Sequence, residues 1–288
     1  MKKIIVIAGP TGVGKTKLSV ELAKLYDGEI INADSVQVYK RLNIGSAKIK
    51  EEEKEGIPHH LFDIKDPEED YNIFNYQKDS RKVIDQLLKQ NKTPILVGGS
   101  GLYIKACLYN YDLEEESKKD TYENLPNTDI LDEINKIDKN HSIHVNNRQR
   151  LVRQLNKLKN NDKVQSKTSL LYDVIFIGLT TDRETLYARI NNRVDTMFKE
   201  GLLKEVESLY MDNINTKAML SIGYKELYKY FDNEITLDEA KELIKRNSRR
   251  YAKRQFTWFN NQMDMKWFEV NIDDFDKTIK EVNEYIKK

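Results

Sequence analysis

The sequence predicts an α/β fold: a parallel sheet with helices on its faces, interrupted by an inserted and mainly helical lobe. Three observations carry that prediction. Apolar runs alternate with stretches of helical periodicity, the rhythm of a parallel sheet. The first run, Ile4 to Ala8, meets a glycine-rich turn that opens directly into a helical pattern. Between Tyr111 and about Leu170 the rhythm stops, and the text turns polar, with EEESKKD, KLKNNDK and many asparagines.

The elements follow in order. Ile4–Ala8 reads as a buried strand. Lys15 to Tyr26 is predicted as a helix with Leu18, Leu22 and Leu25 on its inward face. GEIINADS gives a second strand ending at Asp34. Asn72 to Gln90 is a helix carrying Phe74, Val83, Leu87 and Leu88 inward. TPILVGG is a third strand, and Ser100 to Tyr109 the next helix. Tyr111 to Leu170 is taken as an inserted helical lobe; the plainer alternative is a long disordered loop. DVIFIGLT then resumes the sheet. Arg183 to Leu209 follows as helix, with a break at Gly201, and Leu237 to Gln262 as a long basic helix. MKWFEVN is a last strand and Asp274 to Lys288 a closing helix. The expected division is thus residues 1–110 with 171–288 as the core, and 111–170 as the lobe.

Composition narrows the function. The 288 residues carry 48 Lys+Arg against 47 Asp+Glu, a net charge of +1, so a nucleic-acid surface must be a local patch. One cysteine, Cys107, excludes an internal disulfide and agrees with a reducing cytoplasm. The first apolar run is too short for a signal-peptide core, and no stretch is long enough to span a bilayer. A monomer in the cytoplasm, away from membranes, is expected. The pair His59-His60 invites a metal reading, but adjacent strand residues point to opposite faces, so one buried and one exposed histidine is the better expectation.

The chemistry begins at Gly9-Pro10-Thr11-Gly12-Val13-Gly14-Lys15-Thr16, which matches G-x-x-x-x-G-K-[ST] between a strand and a helix. Glycines let backbone N–H groups turn toward phosphate oxygens, and the helix N-terminus adds positive potential. Lys15 reaches the terminal phosphate, and the Thr16 hydroxyl is the ligand expected for Mg2+. The core is therefore P-loop NTPase-like. A conventional P-loop ATPase adds an aspartate after a second apolar strand to hold the metal. Here PILVGGSG ends in glycine and serine. The best-placed acid is Asp34, after EIINA. It is either a carboxylate with a chemical task or a turn or N-cap aspartate. Arg189 and Arg193 lie four apart on one helix face, suited either to clamping a diphosphate or to solvent. Arg246, Arg249, Arg250 and Lys253 follow an i, i+3, i+4, i+7 pattern, a positive stripe that suits a phosphate backbone, with aromatics interleaved. RQRLVRQLNKLK is a second basic stretch. Two separate basic elements favour a long anionic partner.

These residues together resemble the bacterial tRNA dimethylallyltransferases, or tRNA isopentenyltransferases, over nearly the whole chain. The blocks that carry the resemblance are GPTGVGKT, NADSVQVYKRLNIGSAK, HHLFD, VGGSGLY, RINNRVDTMFKEGLLKEV, SIGYKEL and RRYAKRQFTWF. The resemblance implies transfer of a dimethylallyl group from dimethylallyl diphosphate to the exocyclic amine of the adenine 3′-adjacent to the anticodon, with release of diphosphate. It implies that residues 9–16 and Arg193 hold the diphosphate, with Mg2+ at Thr16. It makes Asp34 the base, and Ser100 the counterpart of a family threonine beside the reacting centre. It places tRNA, through its anticodon stem-loop, on Asp34, Ser35, Val36, Gln37 and Ser100, on Gln149, Arg150, Leu151, Val152 and Arg153 of the lobe, and on the stripe. The rival readings are a P-loop small-molecule kinase, with Arg189 and Arg193 as lid arginines, and an RNA-binding NTPase.

Overall fold

The computed structural model describes residues 2–110, 113, 122–159 and 169–288, and they fall into two compact units: Met1–Asn110 with Ser169–Lys288, and Tyr111–Thr168. The first unit contains β1 (Ile4–Ala8), α1 (Lys15–Tyr26), β2 (Gly28–Asn32), β3 (His59–His60), α2 (Ile73–Lys89), β4 (Thr93–Gly98) and α3 (Gly101–Leu108). The second unit supplies α4 (Asn127–Ile137) and α5 (Arg148–Lys159). The first unit resumes with β5 (Val174–Thr180), α6 (Arg183–Glu200), α7 (Leu202–Met211), α8 (Tyr224–Phe231), α9 (Leu237–Gln262), β6 (Lys266–Glu269) and α10 (Phe275–Ile286).

The six strands run parallel in the order β3-β2-β4-β1-β5-β6. Every residue of β1 is buried, as a central strand covered on both faces requires. One core layer, with Val6, Ile31 and Leu96, packs under α2, α3, α7 and α8. The other, with Ile5, Ile7 and Ile30, packs under α1 and α10. In register, β2, β4 and β1 end close together at Asn32, Gly98 and Ala8. Loops leaving the carboxyl ends of adjacent strands converge on one crevice, and that fixes where a ligand sits in such a sheet.

Helix ends follow local chemistry. Asn72 caps α2 by accepting from the Phe74 and Asn75 amides, and Thr236 caps α9 through the Glu239 amide. Gly201 breaks the long predicted helix. At φ 106° it ends α6 and starts α7, a conformation that costs an L side chain about 1–2 kcal/mol.

Several expectations need correction. Leu25 is 55% exposed; the inward face of α1 is Leu18, Val20, Leu22 and Ala23. In α2 the buried apolar positions are Tyr76, Ile84 and Leu87, whereas Phe74, Val83 and Leu88 are only partly buried. β2 stops at Asn32, two residues before Asp34. The helix Tyr224–Phe231 has no counterpart among the predicted elements. His59 and His60 are both half-buried: His60 Nε2 pairs with Glu29 at 2.7 Å, and His59 Nδ1 meets the Ile57 carbonyl.

The second unit has its own small core, Ile130 and Ile134 of α4 against Leu151 and Leu155 of α5. The i, i+4 spacing in both helices makes that seam.

Candidate active site

Residues 9–16 connect β1 to α1. Gly9 has φ 143°, and a Cβ there would lie 2.4 Å from the Leu179 carbonyl oxygen of β5, so only glycine fits. Gly14, at φ 95°, precedes α1 without capping it through a side chain. The first amides of α1 are therefore left for a ligand, at the positive end of the helix dipole. The first turn holds no acidic residue to compete with an anion. Val13 does not share this role: its side chain is buried in the core, and only its backbone belongs to the loop.

Lys15 folds back over the loop. Its Nζ donates to the carbonyls of Gly9 at 3.0 Å and Pro10 at 2.8 Å. Its pKa is lowered to about 7, chiefly by burial and next by the neighbouring Arg193, with Asp34 opposing both. Arg193 reaches in from α6, donating from Nη1 to Thr11 Oγ1 at 3.2 Å and from Nη2 to the Ala47 carbonyl at 3.5 Å. Burial depresses its pKa as well. Arg189, one turn earlier, is exposed and donates to the Gly12 carbonyl at 2.8 Å. The two arginines thus differ: Arg193 faces the Lys15–Asp34 pair, and Arg189, also in the cleft wall, braces the loop at Gly12.

Asp34 follows β2 in a turn of its own. Its amide donates to Asn32 Oδ1 at 2.9 Å, and its Oδ1 accepts from the Val36 amide at 2.8 Å. The turn alternative is therefore real for this residue, while no helix begins here for it to cap. Burial raises its pKa; the Val36 and Gln37 amides, Lys15 and Arg193 pull the other way. A carboxylate held above its ordinary range, among cations, is poised for proton transfer.

Asp34, Ser35, Val36 and Gln37 line an open cleft of about 1470 Å3 with Lys15, Thr16 and Arg193. Ser100 is not among the lining residues. Its hydroxyl accepts from the Ser35 amide at 3.3 Å, so it braces the Asp34 loop from behind. Gln37 donates from Nε2 to the Ser46 and Ala47 carbonyls, tying that loop to the one that receives Arg193. Glu205 shapes the second loop by accepting from the Asn43, Ile44 and Gly45 amides and from the Tyr224 hydroxyl. Tyr103 and Tyr251 add an aromatic wall, and burial pushes the Tyr251 hydroxyl up to about 12. Gln255, also in the cleft wall, is 5% exposed on α9. Tyr251 is one of the aromatics interleaved with the basic stripe, whereas Glu205 and Gln255 carry no motif. A glutamine on the buried face of a basic helix is the one signal that marks a position of this kind.

Could the site hold Mg2+? The Thr16 hydroxyl is exposed at the start of α1, in the cleft. Among the described residues, no group of three or more His, Cys, Asp or Glu could hold a metal ion. These residues fit an ion that takes one hydroxyl from the protein and the rest of its ligands from phosphate and water, as Mg2+ commonly does. They do not fit an all-protein cage.

The stripe on α9 is less uniform than its spacing. Arg246, Arg250 and Lys253 are exposed. Arg249 is not free: it donates to Asn191 Oδ1 of α6 at 2.6 Å and lies 6.0 Å from the centre of the Tyr187 ring. It joins two helices and contributes less to an outward patch. In the lobe, Leu151 is fully buried, so its side chain is not free for RNA, and Val152 is partly buried against the same small core. Arg150 and Arg153 are exposed on α5, and the Gln149 side chain lies outside what the structure describes.

Comparison with known proteins finds relatives over the whole length of the chain. The family model described as IPP transferase matches residues 37–262. A tRNA dimethylallyltransferase of Anoxybacillus flavithermus is 47% identical, with 99% of this chain and 96% of that protein covered. One from Bacillus licheniformis is 46% identical, over 93% and 90%. Among solved structures, the tRNA isopentenylpyrophosphate transferase of Bacillus halodurans superposes with a TM-score of 0.79 at 42% identity, covering 100% of this chain and 96% of that one. A eukaryotic dimethylallyltransferase acting on tRNA gives a TM-score of 0.86 at 29% identity, covering 100% of this chain and 80% of that one.

Proposed function

The chain belongs to the IPP transferase family, whose relatives are tRNA dimethylallyltransferases, and from that premise we propose how its cleft performs the transfer. The enzyme moves a dimethylallyl group from dimethylallyl diphosphate to the exocyclic amine of an adenine in tRNA. The adenine is the one 3′-adjacent to the anticodon, presented by the anticodon stem-loop and turned out of its stack into the cleft.

The observation that carries this reading is the convergence of Lys15, Arg193 and Asp34, electrostatically coupled, in one cleft. The exocyclic amine is a poor nucleophile because its lone pair is delocalised into the ring. It attacks the allylic carbon as the bond from that carbon to the diphosphate oxygen breaks. Asp34 accepts the proton the amine loses, so charge on nitrogen does not build up. The electron pair of the broken bond leaves on diphosphate. The amides at the start of α1, Lys15 and Arg193 receive that charge from fixed positions in a partly dry site, where such groups act most strongly. When bound, Mg2+ supplies further neutralisation of the diphosphate, with Thr16 as its protein ligand. Ser100 holds the Asp34 loop in place. Arg246, Arg250 and Lys253, with Arg150 and Arg153 of the lobe, serve the tRNA backbone. We take the enzyme to act as a monomer. Among the described residues no helix is long and apolar enough to cross a membrane; the tRNA substrate supports a cytoplasmic site of action.

The test is single-turnover transfer by Asp34→Asn at low and high Mg2+. Asparagine keeps the shape and the acceptor for the Val36 amide but takes no proton. The rate should fall by about 10²–10⁴, the scale of general-base loss, with binding of both substrates little changed. Near-normal rates would reduce Asp34 to its turn. Recovery at high Mg2+ would assign it to the metal.

A further inference from the structure

Gln255 is the least expected polar group in the molecule. It sits two residues past Lys253 on α9, yet it is 5% exposed and points the opposite way from the basic stripe. Both ends of its amide are engaged. Oε1 accepts from the Thr11 amide at 3.0 Å, and Nε2 donates to the Gly99 carbonyl at 3.1 Å. Only one orientation of the side chain satisfies an N–H on one side and a C=O on the other, so the assignment follows from the partners. Gly99 makes room for it: a Cβ there would lie 2.0 Å from Nε2.

Both partners matter to the cleft. Gly99 follows β4, and Thr11 lies in the diphosphate loop. Thr11 in turn presents its hydroxyl to Arg193 Nη1. A continuous path therefore runs from α9 through Gln255 and Thr11 to Arg193. One turn earlier on α9, Tyr251 lies beside Ser100 and Gln255, and Ser100 accepts from the Ser35 amide beside Asp34. The helix whose outer face is basic thus holds, on its inner face, the loop for the leaving group and the loop for the base.

We propose that Gln255 is a positioning residue: by fixing Thr11 it sets Arg193 against the diphosphate, and so governs the affinity for the prenyl donor without contacting either substrate's reacting atoms. The inference rests on the transferase reading above. It has a specific physical content. The Thr11 amide is withdrawn from the anion and spent on Gln255, so the Thr11 peptide is pinned, and the Arg193 guanidinium inherits a fixed partner. Without the glutamine, Thr11 is free to turn and Arg193 must be ordered by the ligand, a cost taken from binding.

Gln255→Leu removes both hydrogen bonds at similar volume. Gln255→Glu keeps the acceptor for Thr11 but loses the donor to Gly99. Binding of dimethylallyl diphosphate and of tRNA is measured separately, by calorimetry and by filter retention, with thermal melting as a check on folding. The expected result for Gln255→Leu is a donor Kd raised at least about tenfold, with tRNA Kd within about twofold. Gln255→Glu should weaken donor binding less. Adding Thr11→Val to Gln255→Leu should cost little more than Gln255→Leu alone, whereas Thr11→Val in the wild type should be costly, because the two act through one path. An unchanged donor Kd, equal losses for both substrates, or additive effects would overturn the proposal. Should Gln255→Leu fail to fold, the Gln255→Glu comparison decides alone: a donor-specific loss supports the proposal, and no loss or an equal loss overturns it. Failure of wild-type protein to bind dimethylallyl diphosphate at all would instead refute the transferase reading.

Discussion

Lys15 and Asp34 each sit away from their ordinary protonation range, and each is moved chiefly by burial. The lysine is lowered and the carboxyl raised, so in the ligand-free cleft both are drawn toward the neutral form. An incoming diphosphate changes this for Lys15. The anion favours the ammonium form, so its pKa rises on binding, and the site takes up a proton at any pH between the free and bound values. With a free value of about 7, most of the lysine is neutral at pH 8. Donor binding at pH 8 should then take up most of one proton, and affinity should fall as pH rises above about 7. Calorimetry in buffers of different ionisation enthalpy measures that uptake directly. The substrate's own diphosphate is essentially fully ionised at pH 8, and Lys15→Met supplies the blank. Uptake that persists in Lys15→Met would assign the proton to another group. Some of this was legible in the residues. Gly9–Thr16 and Asp34 stand out by motif and by strand-end position. Arg193 and Arg189 share one face by spacing, and only α6 in place shows Arg193 meeting Thr11 and Arg189 meeting the Gly12 carbonyl. Gln255, Tyr251 and Glu205 act across more than 100 residues of sequence, and no local pattern reports a hydrogen bond of that span.

At the scale of elements, α9 has two jobs on two faces. The outer face presents Arg246, Arg250 and Lys253 to solvent. The inner face holds Tyr251, Gln255 and Phe259 against the cleft and the core. The i, i+3, i+4, i+7 spacing showed that a stripe existed but could not show that Arg249 faces α6, where Asn191 takes it. The stripe residues are therefore unequal. Arg250→Glu with Lys253→Glu should weaken tRNA binding and make the salt dependence shallower by about 1.5 in the log–log slope, since each phosphate contact contributes about 0.7–0.9. Arg249→Glu should change the slope less and lower thermal stability more, because it breaks a contact between helices. Titrations of tRNA binding across salt concentrations, with melting curves alongside, separate the two. An unchanged slope in the folded Arg250/Lys253 variant would put the RNA on another surface.

Across the whole molecule, the alternation of apolar runs and helical periods predicted the parallel sheet, because strands covered on both faces leave an unmistakable apolar signature. One short element escaped. The helix Tyr224–Phe231 owes its existence to packing near Glu205, not to local pattern. The break in rhythm after Tyr111 marked the inserted helical lobe, but not its seam: among the described residues its core is four fully buried side chains, too few to raise the local hydrophobicity. The central claim joins these scales: a phosphate-gripping loop in an NTPase-like sheet serves a leaving group, with Asp34 taking the proton. It is tested most directly by incubating the protein with Mg2+, dimethylallyl diphosphate labelled in its allyl carbons, bulk tRNA and ATP or GTP, then following label in RNA, free diphosphate and nucleotide turnover together. The account predicts one label in tRNA for each diphosphate released, with no nucleotide consumed. Hydrolysis of ATP or GTP with no label in RNA would contradict it.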